Sequence, residues 1–211
     1  MKQNGRVMAK FLLIRHGHND LVAKKLAGRL PHVHLNELGL TQAQRLTTLL
    51  ADLPIKAVYS SPLERAQETA LPIAQAHDLG VSIMPELIEM DYGRWQGKRL
   101  KALQRRKLWK AIQTQPSQVR FPKGERFVDA QVRVVAGIKT LSQQYDEKDW
   151  VACVSHCDVI KLLVAYFLGL PLDNFQRVQI APASVSVLYL YQGKLAFGQI
   201  NHTLDFPESH P

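Results

Sequence analysis

Phe11-Leu12-Leu13-Ile14 is an unbroken apolar run that gives way at once to Arg15-His16-Gly17. Such a run predicts a strand buried on both faces, with polar side chains delivered at its C-terminal end. The profile returns at Trp150–Val154, which ends in Ser155-His156, and in weaker form at Ile55–Tyr59 and Val81–Met84. Between these runs the period lengthens to that of a helix. Thr41 and Gln44 form a capping box, after which Ala43, Leu46, Leu49, Leu50 and Leu53 fall on one helical face. A second helix start is predicted at Ser61-Pro62-Leu63-Glu64, with Ser61 as N-cap, Pro62 at N1 and Glu64 at N3, so that Arg65 sits in the first turn. A basic amphipathic helix is expected over Lys98–Gln113 and a Pro-containing loop over Gln115–Gly124. From Glu125 the positions Phe127, Ala130, Val134, Ile138, Leu141 and Tyr145 again repeat at helical spacing. Val159–Leu168 reads as an apolar helix stopped by Gly169 and Pro171. Ser184–Tyr191, a turn at Gln192-Gly193 and Leu195–Ile200 read as a closing hairpin.

Strands alternating with helices predict an α/β fold, a three-layer α/β/α sandwich around a mostly parallel central sheet. In such sheets ligands sit at the carboxyl ends of the strands, where Arg15, His16 and His156 fall. A chain of 211 residues is expected to form one domain, with residues 98–124 as a small inserted cap and residues 1–10 and 202–211 flexible. No apolar run approaches the roughly 20 residues of a bilayer span, and no signal-peptide core precedes Phe11, so no membrane partner is expected. Cys153 and Cys157 are too few for a disulfide framework and wrongly spaced for a redox pair, which points to a reducing, cytoplasmic setting. Lys and Arg number 27 against 18 Asp and Glu, a formal charge of +9. That excess favours an anionic partner. It is spread along the chain without a nucleic-acid-binding motif, so a small phosphorylated substrate is expected and nucleic acid is not. Association as a homodimer is compatible with the sequence.

Four cationic or potentially cationic side chains, Arg15, His16, Arg65 and His156, arrive from three strand ends. A phosphate dianion needs several donors at once, and guanidinium forks match its oxygens in pairs. A helix N-terminus beside Arg65 adds a fixed partial positive charge. His16-x-His18 and His32-x-His34 have ligand-like spacing, but Arg15 would repel a divalent ion, so neither a metal nor another cofactor is expected. Lys24, Lys25, Arg29, His32 and His34 form a basic loop, which either steers an acidic substrate or is a solvated face. Arg105-Arg106-Lys107 carries the same two readings.

Leu13-Ile14-Arg15-His16-Gly17 resembles the RHG signature of the histidine phosphatase superfamily, the phosphoglycerate-mutase-like group. Further blocks resemble that family in its order: Leu35 to Ala43, Ser60-Ser61-Pro62-Leu63-Glu64-Arg65-Ala66-Gln67-Glu68-Thr69-Ala70, Glu89 to Gly97, and Val154-Ser155-His156. The resemblance implies a phosphate monoester hydrolase working through a phosphohistidine on His16. Arg15, Arg65 and a protonated His156 would bind the phosphoryl oxygens, and Glu89 would act as general acid and base. Glu86 and Asp91 lie near enough in sequence to compete for Glu89's role. The chain departs from the family where His18 and Val22 stand at positions often held by Glu or Gln and by Asn, at Cys157, and in Pro122-Lys123-Gly124-Glu125-Arg126. His18, Asn19 and Cys157 are therefore expected at the pocket rim, where the substrate is chosen. Phosphoryl transfer of the mutase kind and a non-catalytic phospholigand-binding module remain the alternatives.

Overall fold

A computed structural model describes residues 9–191 and 194–203. Six strands form one sheet in the order β3-β2-β4-β1-β5-β6: β1 (Lys10–Arg15), β2 (Ile55–Ser60), β3 (Val81–Ile83), β4 (Trp150–Ser155), β5 (Val185–Tyr191) and β6 (Lys194–His202). The first four are mutually parallel; β5 runs antiparallel to β1, and β6 antiparallel to β5. The expected hairpin is therefore present, while its turn at Gln192-Gly193 lies outside the described residues, as do 1–8 and 204–211. Of the termini expected to be flexible, Lys10 opens β1 and His202 closes β6.

Strand alternation explains the three layers. On β1 and β4, Phe11, Leu13, Val151 and Cys153 face α5 (Phe127–Ser142) and α6 (Cys157–Phe167). Leu12, Ile14, Ala152 and Val154 face α1 (Glu37–Leu50) and α2 (Glu64–Ala76) instead. Both faces are apolar because both are covered. A third apolar cluster, including Tyr92, Trp95, Ile112, Phe121 and Phe127, lies apart from these two.

Four local expectations are corrected. Helix α1 starts at Glu37, because the Asn36 side chain accepts from the Gly39 N–H at 3.0 Å; Thr41 donates back to the Glu37 carbonyl instead of capping, and Leu49 is exposed. Leu53 lies beyond the helix end. Helix α2 starts at Glu64 with Leu63 at the cap position; the Ser61 Oγ accepts the Leu63 N–H at 3.3 Å and also meets His156 Nε2, and Arg65 does occupy the first turn. Helix α5 starts at Phe127 and ends at Ser142, leaving Tyr145 outside it with its hydroxyl 2.8 Å from that of Tyr59. The basic helix over 98–113 is two: α3 (Leu100–Leu103) and α4 (Lys107–Thr114), separated by an extended Arg106. A continuous helix would set Arg106 and Lys107 one turn beyond Leu103, on its apolar face. The break lets Leu108, Trp109 and Ile112 reach the third cluster while the cations stay in water.

Candidate active site

Register builds the site. Arg15 lies opposite Ser155 and Ser60 lies opposite Val154, so His16, His156 and Ser61 leave the sheet side by side. The His16 N–H donates to the Ser155 carbonyl at 3.0 Å, and the Ser61 N–H to that of Val154 at 2.9 Å. The segment after His16 is held tightly. Gly17 N–H donates to Thr69 Oγ1, whose hydroxyl donates to the Arg65 carbonyl, tying this loop to α2. At Gly39 a Cβ would stand 2.1 Å from the His18 carbonyl oxygen, so only glycine allows α1 to approach this loop.

The hydrogen bonds fix the protonation of both histidines. His16 Nδ1 lies 2.7 Å from the Gly17 carbonyl, which only accepts, so Nδ1 carries the hydrogen. Nε2 receives the Arg65 Nε–H at 3.2 Å and therefore presents a lone pair. His156 is the mirror case. Its Nδ1 accepts from Arg65 Nη2 at 3.3 Å, and its Nε2–H donates to Ser61 Oγ at 2.7 Å. Burial first, and then the Arg65 charge, push both imidazoles well below their ordinary range. With only protein groups around it, His156 is thus neutral rather than protonated.

Arg65 is 1% exposed, and among the described residues no carboxylate is bonded to its guanidinium. Its Nη2 also donates to the Gly28 carbonyl at 2.8 Å, while Nη1 is buried without a partner. Arg15 repeats the pattern: Nη1 donates to the Ile180 carbonyl and Nε is buried unpartnered. Unmet buried donors on two guanidiniums flanking one imidazole describe a place for an anion.

Glu89 is buried, and its Oε1 accepts the Met90 N–H at 2.9 Å. Burial, followed by the charge of Asp158, pushes its carboxyl up to about 7, against the pull of the Met90 N–H, Arg65 and Arg15. Asp158 itself accepts from the Tyr92 hydroxyl at 2.8 Å. Arg15, His16, Arg65, Glu89, Asn19 and Cys157 line one cavity of about 330 Å³. His156 lies behind it, with its ring edge against His16 and centroids 5.1 Å apart. His18 is also outside the lining, with Nδ1 accepting from Asn36. The other carboxylates near Glu89 are elsewhere: Asp91 accepts from the Gly93 N–H, and Glu86 packs beside Gly137. Among the described residues no three His, Cys, Asp or Glu side chains are grouped so as to hold a metal ion.

Sequence reasoning missed the frame around Glu89. Arg29 Nε donates to the Glu89 carbonyl, and Arg133 Nη1 to those of Glu86 and Ile88. Glu125 bridges the two guanidiniums with one oxygen each, both at 2.9 Å. The sequence offered only that Glu125 stands in the 122–126 stretch, where the chain departs from the family pattern, and that Arg29 belongs to a basic loop. Alanine at 125 is expected to cost about 2 kcal/mol in urea unfolding, below the range for fully buried pairs because these groups are partly exposed. It should also speed amide exchange across 86–90. An unchanged exchange pattern would mean that the loop is held by other contacts.

A family model described as the histidine phosphatase superfamily (branch 1) matches residues 11–203. The chain belongs to the histidine phosphatase superfamily. Within that superfamily it is 31% identical over 184 residues to an adenosylcobalamin/alpha-ribazole phosphatase of Salmonella typhimurium, spanning 86% of this chain and 90% of that protein. Phosphoserine phosphatase 1 of Hydrogenobacter thermophilus is 28% identical over 206 residues, 95% and 96% of the two chains. The structure of a mycobacterial glucosyl-3-phosphoglycerate phosphatase in complex with VO3 matches with a TM-score of 0.82 at 25% identity, covering 92% of this chain and 99% of that one. These relatives differ in the ester they are named for and share the word phosphatase. No helix among the described residues is long and apolar enough to cross a membrane.

Proposed function

We propose that this superfamily member hydrolyses phosphate monoesters through a phosphohistidine on His16, without a metal. One observation carries the reading: His16 is held as a single neutral tautomer whose Nε2 accepts from Arg65, in a cavity that Arg15 also lines, and both guanidiniums carry unmet buried donors. The phosphoryl oxygens bind Arg15 and Arg65. His16 Nε2 attacks phosphorus in line as the P–O bond to the leaving alcohol breaks, and Glu89 gives its proton to the departing alkoxide. The resulting Glu89 carboxylate then takes a proton from water, whose oxygen attacks phosphorus and breaks the P–N bond. Phosphate leaves, and His16 returns to its neutral form. Developing charge meets donors already in place, which removes the need for reorganisation at the moment of reaction. His156 is a positioning residue, fixing Arg65 from behind.

Residues 98–124 act as a cap, since Leu100, Trp109, Ile112, Gln113 and Phe121 line the same cavity. Two unpaired cysteines accord with a reducing, cytoplasmic setting. The test is to quench a reaction with radiolabelled substrate in alkali, in the presence of EDTA. Label is expected on the His16 peptide, stable to base and released by acid. Label on another residue, or turnover that vanishes with the chelator, would overturn the reading.

A further inference from the structure

We propose that the alcohol released is a flat, apolar group of one or two rings, and not a small carboxylate-bearing or polyhydroxy alcohol; this rests on the phosphatase reading above. The cavity lining has two chemistries. His16, Arg15 and Arg65 line it as its phosphate-binding groups. Val22, Leu26, Leu100, Trp109, Ile112 and Phe121 line it as an apolar wall, beside the uncharged polar Asn19, Gln113 and Gln176.

The wall is pre-formed. The Trp109 ring stacks on Trp95 with planes 14° apart and centroids at 6.4 Å, and Phe121 meets Trp95 edge-on at 5.7 Å. Leu26, Leu100 and Trp109 pack on the third apolar cluster yet stay only half-buried, so apolar surface is left turned to the cavity. Covering that surface with an apolar ring removes it from water, and the indole face suits a planar group.

Charge argues the same way. The lining cations are Arg15, Arg65 and Lys25, and the first two flank the phosphoryl position. Lys25 is exposed, where a single ion pair contributes little. The lining carboxylates, Glu89 and Asp158, oppose a second anion when charged. The Lys and Arg residues of the cap, nine in all and including Lys101, Arg105, Arg106, Lys107 and Lys110, are exposed, and none lines the cavity. They draw a phosphate ester toward the mouth without rewarding a carboxylate inside it.

The test compares three esters of primary alcohols, so that leaving-group chemistry is matched: 2-phenylethyl phosphate, sn-glycerol 3-phosphate and O-phosphoserine. The wild-type kcat/KM is expected to be about 50-fold or more higher for the phenylethyl ester than for either of the others. Trp109→Ala should lower that ratio about tenfold. Equal or better turnover of phosphoserine or glycerol phosphate would overturn the inference, as would an unchanged ratio in a Trp109→Ala protein with native near-UV dichroism. If that variant does not fold, the wild-type ranking decides. Absence of turnover on every ester would remove the phosphatase reading instead. The affinity order of the same three esters for His16→Ala, by calorimetry, would then decide the inference separately.

Discussion

Alanine at position 16 is expected to lower kcat/KM at least about a thousandfold while the protein stays folded and still binds inorganic phosphate. The imidazole contributes little to the fold. Its side-chain hydrogen bonds go to the neighbouring Gly17 carbonyl and to Arg65, which keeps Gly28 and His156 as partners. Losing it leaves the Arg65 Nε–H unmet in a buried site, a cost of about 1–3 kcal/mol. The two guanidiniums remain, so ground-state binding of a phosphate group survives and the loss falls on kcat. A variant that keeps more than about a tenth of wild-type turnover would mean that water, not His16, attacks phosphorus. Steady-state rates on a matched alkyl ester, with phosphate binding measured by calorimetry, separate these outcomes. They also separate an enzyme from a phospholigand-binding module, since the module would lose nothing but affinity.

The sheet was legible in the sequence where burial on two faces leaves no polar position. Phe11–Ile14 and Trp150–Val154 read as interior strands of a covered sheet, and each ended in the polar residues that form the site. Register was not legible. Nothing in the chain states that Arg15 lies opposite Ser155, yet that pairing sets His16 beside His156. Local caps were misread for a related reason. Thr41-x-x-Gln44 has the right letters for a capping box, but Asn36 reaches the Gly39 N–H first, and Gly39 is required there by the approach of the His18 carbonyl, a tertiary fact. The side chain of Gln42 is used in turn by the His18 N–H.

The site divides along the same line. Arg15, His16, Arg65 and Glu89 converge on one cavity, because each sits at a strand end, in a loop or in the first turn of a helix that the topology brings there. His156 was expected among the groups touching phosphate. It stands one layer deeper, and its burial beside Arg65 holds it neutral. His18 was expected at the rim, but its ring is bonded to Asn36 near the start of α1. Arg29, Glu125 and Arg133 could not be read as a unit, since Arg29 lies 96 residues before Glu125 and only the fold brings it to the carboxylate that also pairs with Arg133.

Turnover should also fall on the alkaline side, by about tenfold per pH unit above pH 7, because the Glu89 carboxyl must be protonated when the alkoxide leaves. On the acid side His16 must be neutral, and burial places its own limit well below 6.5. The kcat/KM profile for an alkyl ester is therefore a bell lying mostly on the acid side of neutrality. Glu89→Gln is expected to lower kcat roughly 100-fold to 10,000-fold on an alkyl ester and to erase the alkaline limb. An aryl ester should suffer less, since its leaving group needs no proton. Asp158→Asn keeps an acceptor for the Tyr92 hydroxyl but removes the charge that raises Glu89, so the limb should move to lower pH. Stability responds to the same groups with opposite signs. Glu89, raised in the folded state, contributes fully below about 4.5 and loses that contribution as pH rises through about 7. His16 and His156, lowered in the folded state, contribute fully above 6.5 and lose it as pH falls. The activity limb near pH 7 thus coincides with loss of the Glu89 contribution, and unfolding measured across pH 5–9 must accompany the rates. An alkaline limb that survives in Glu89→Gln, on a protein shown to be folded there, would assign the proton to another group.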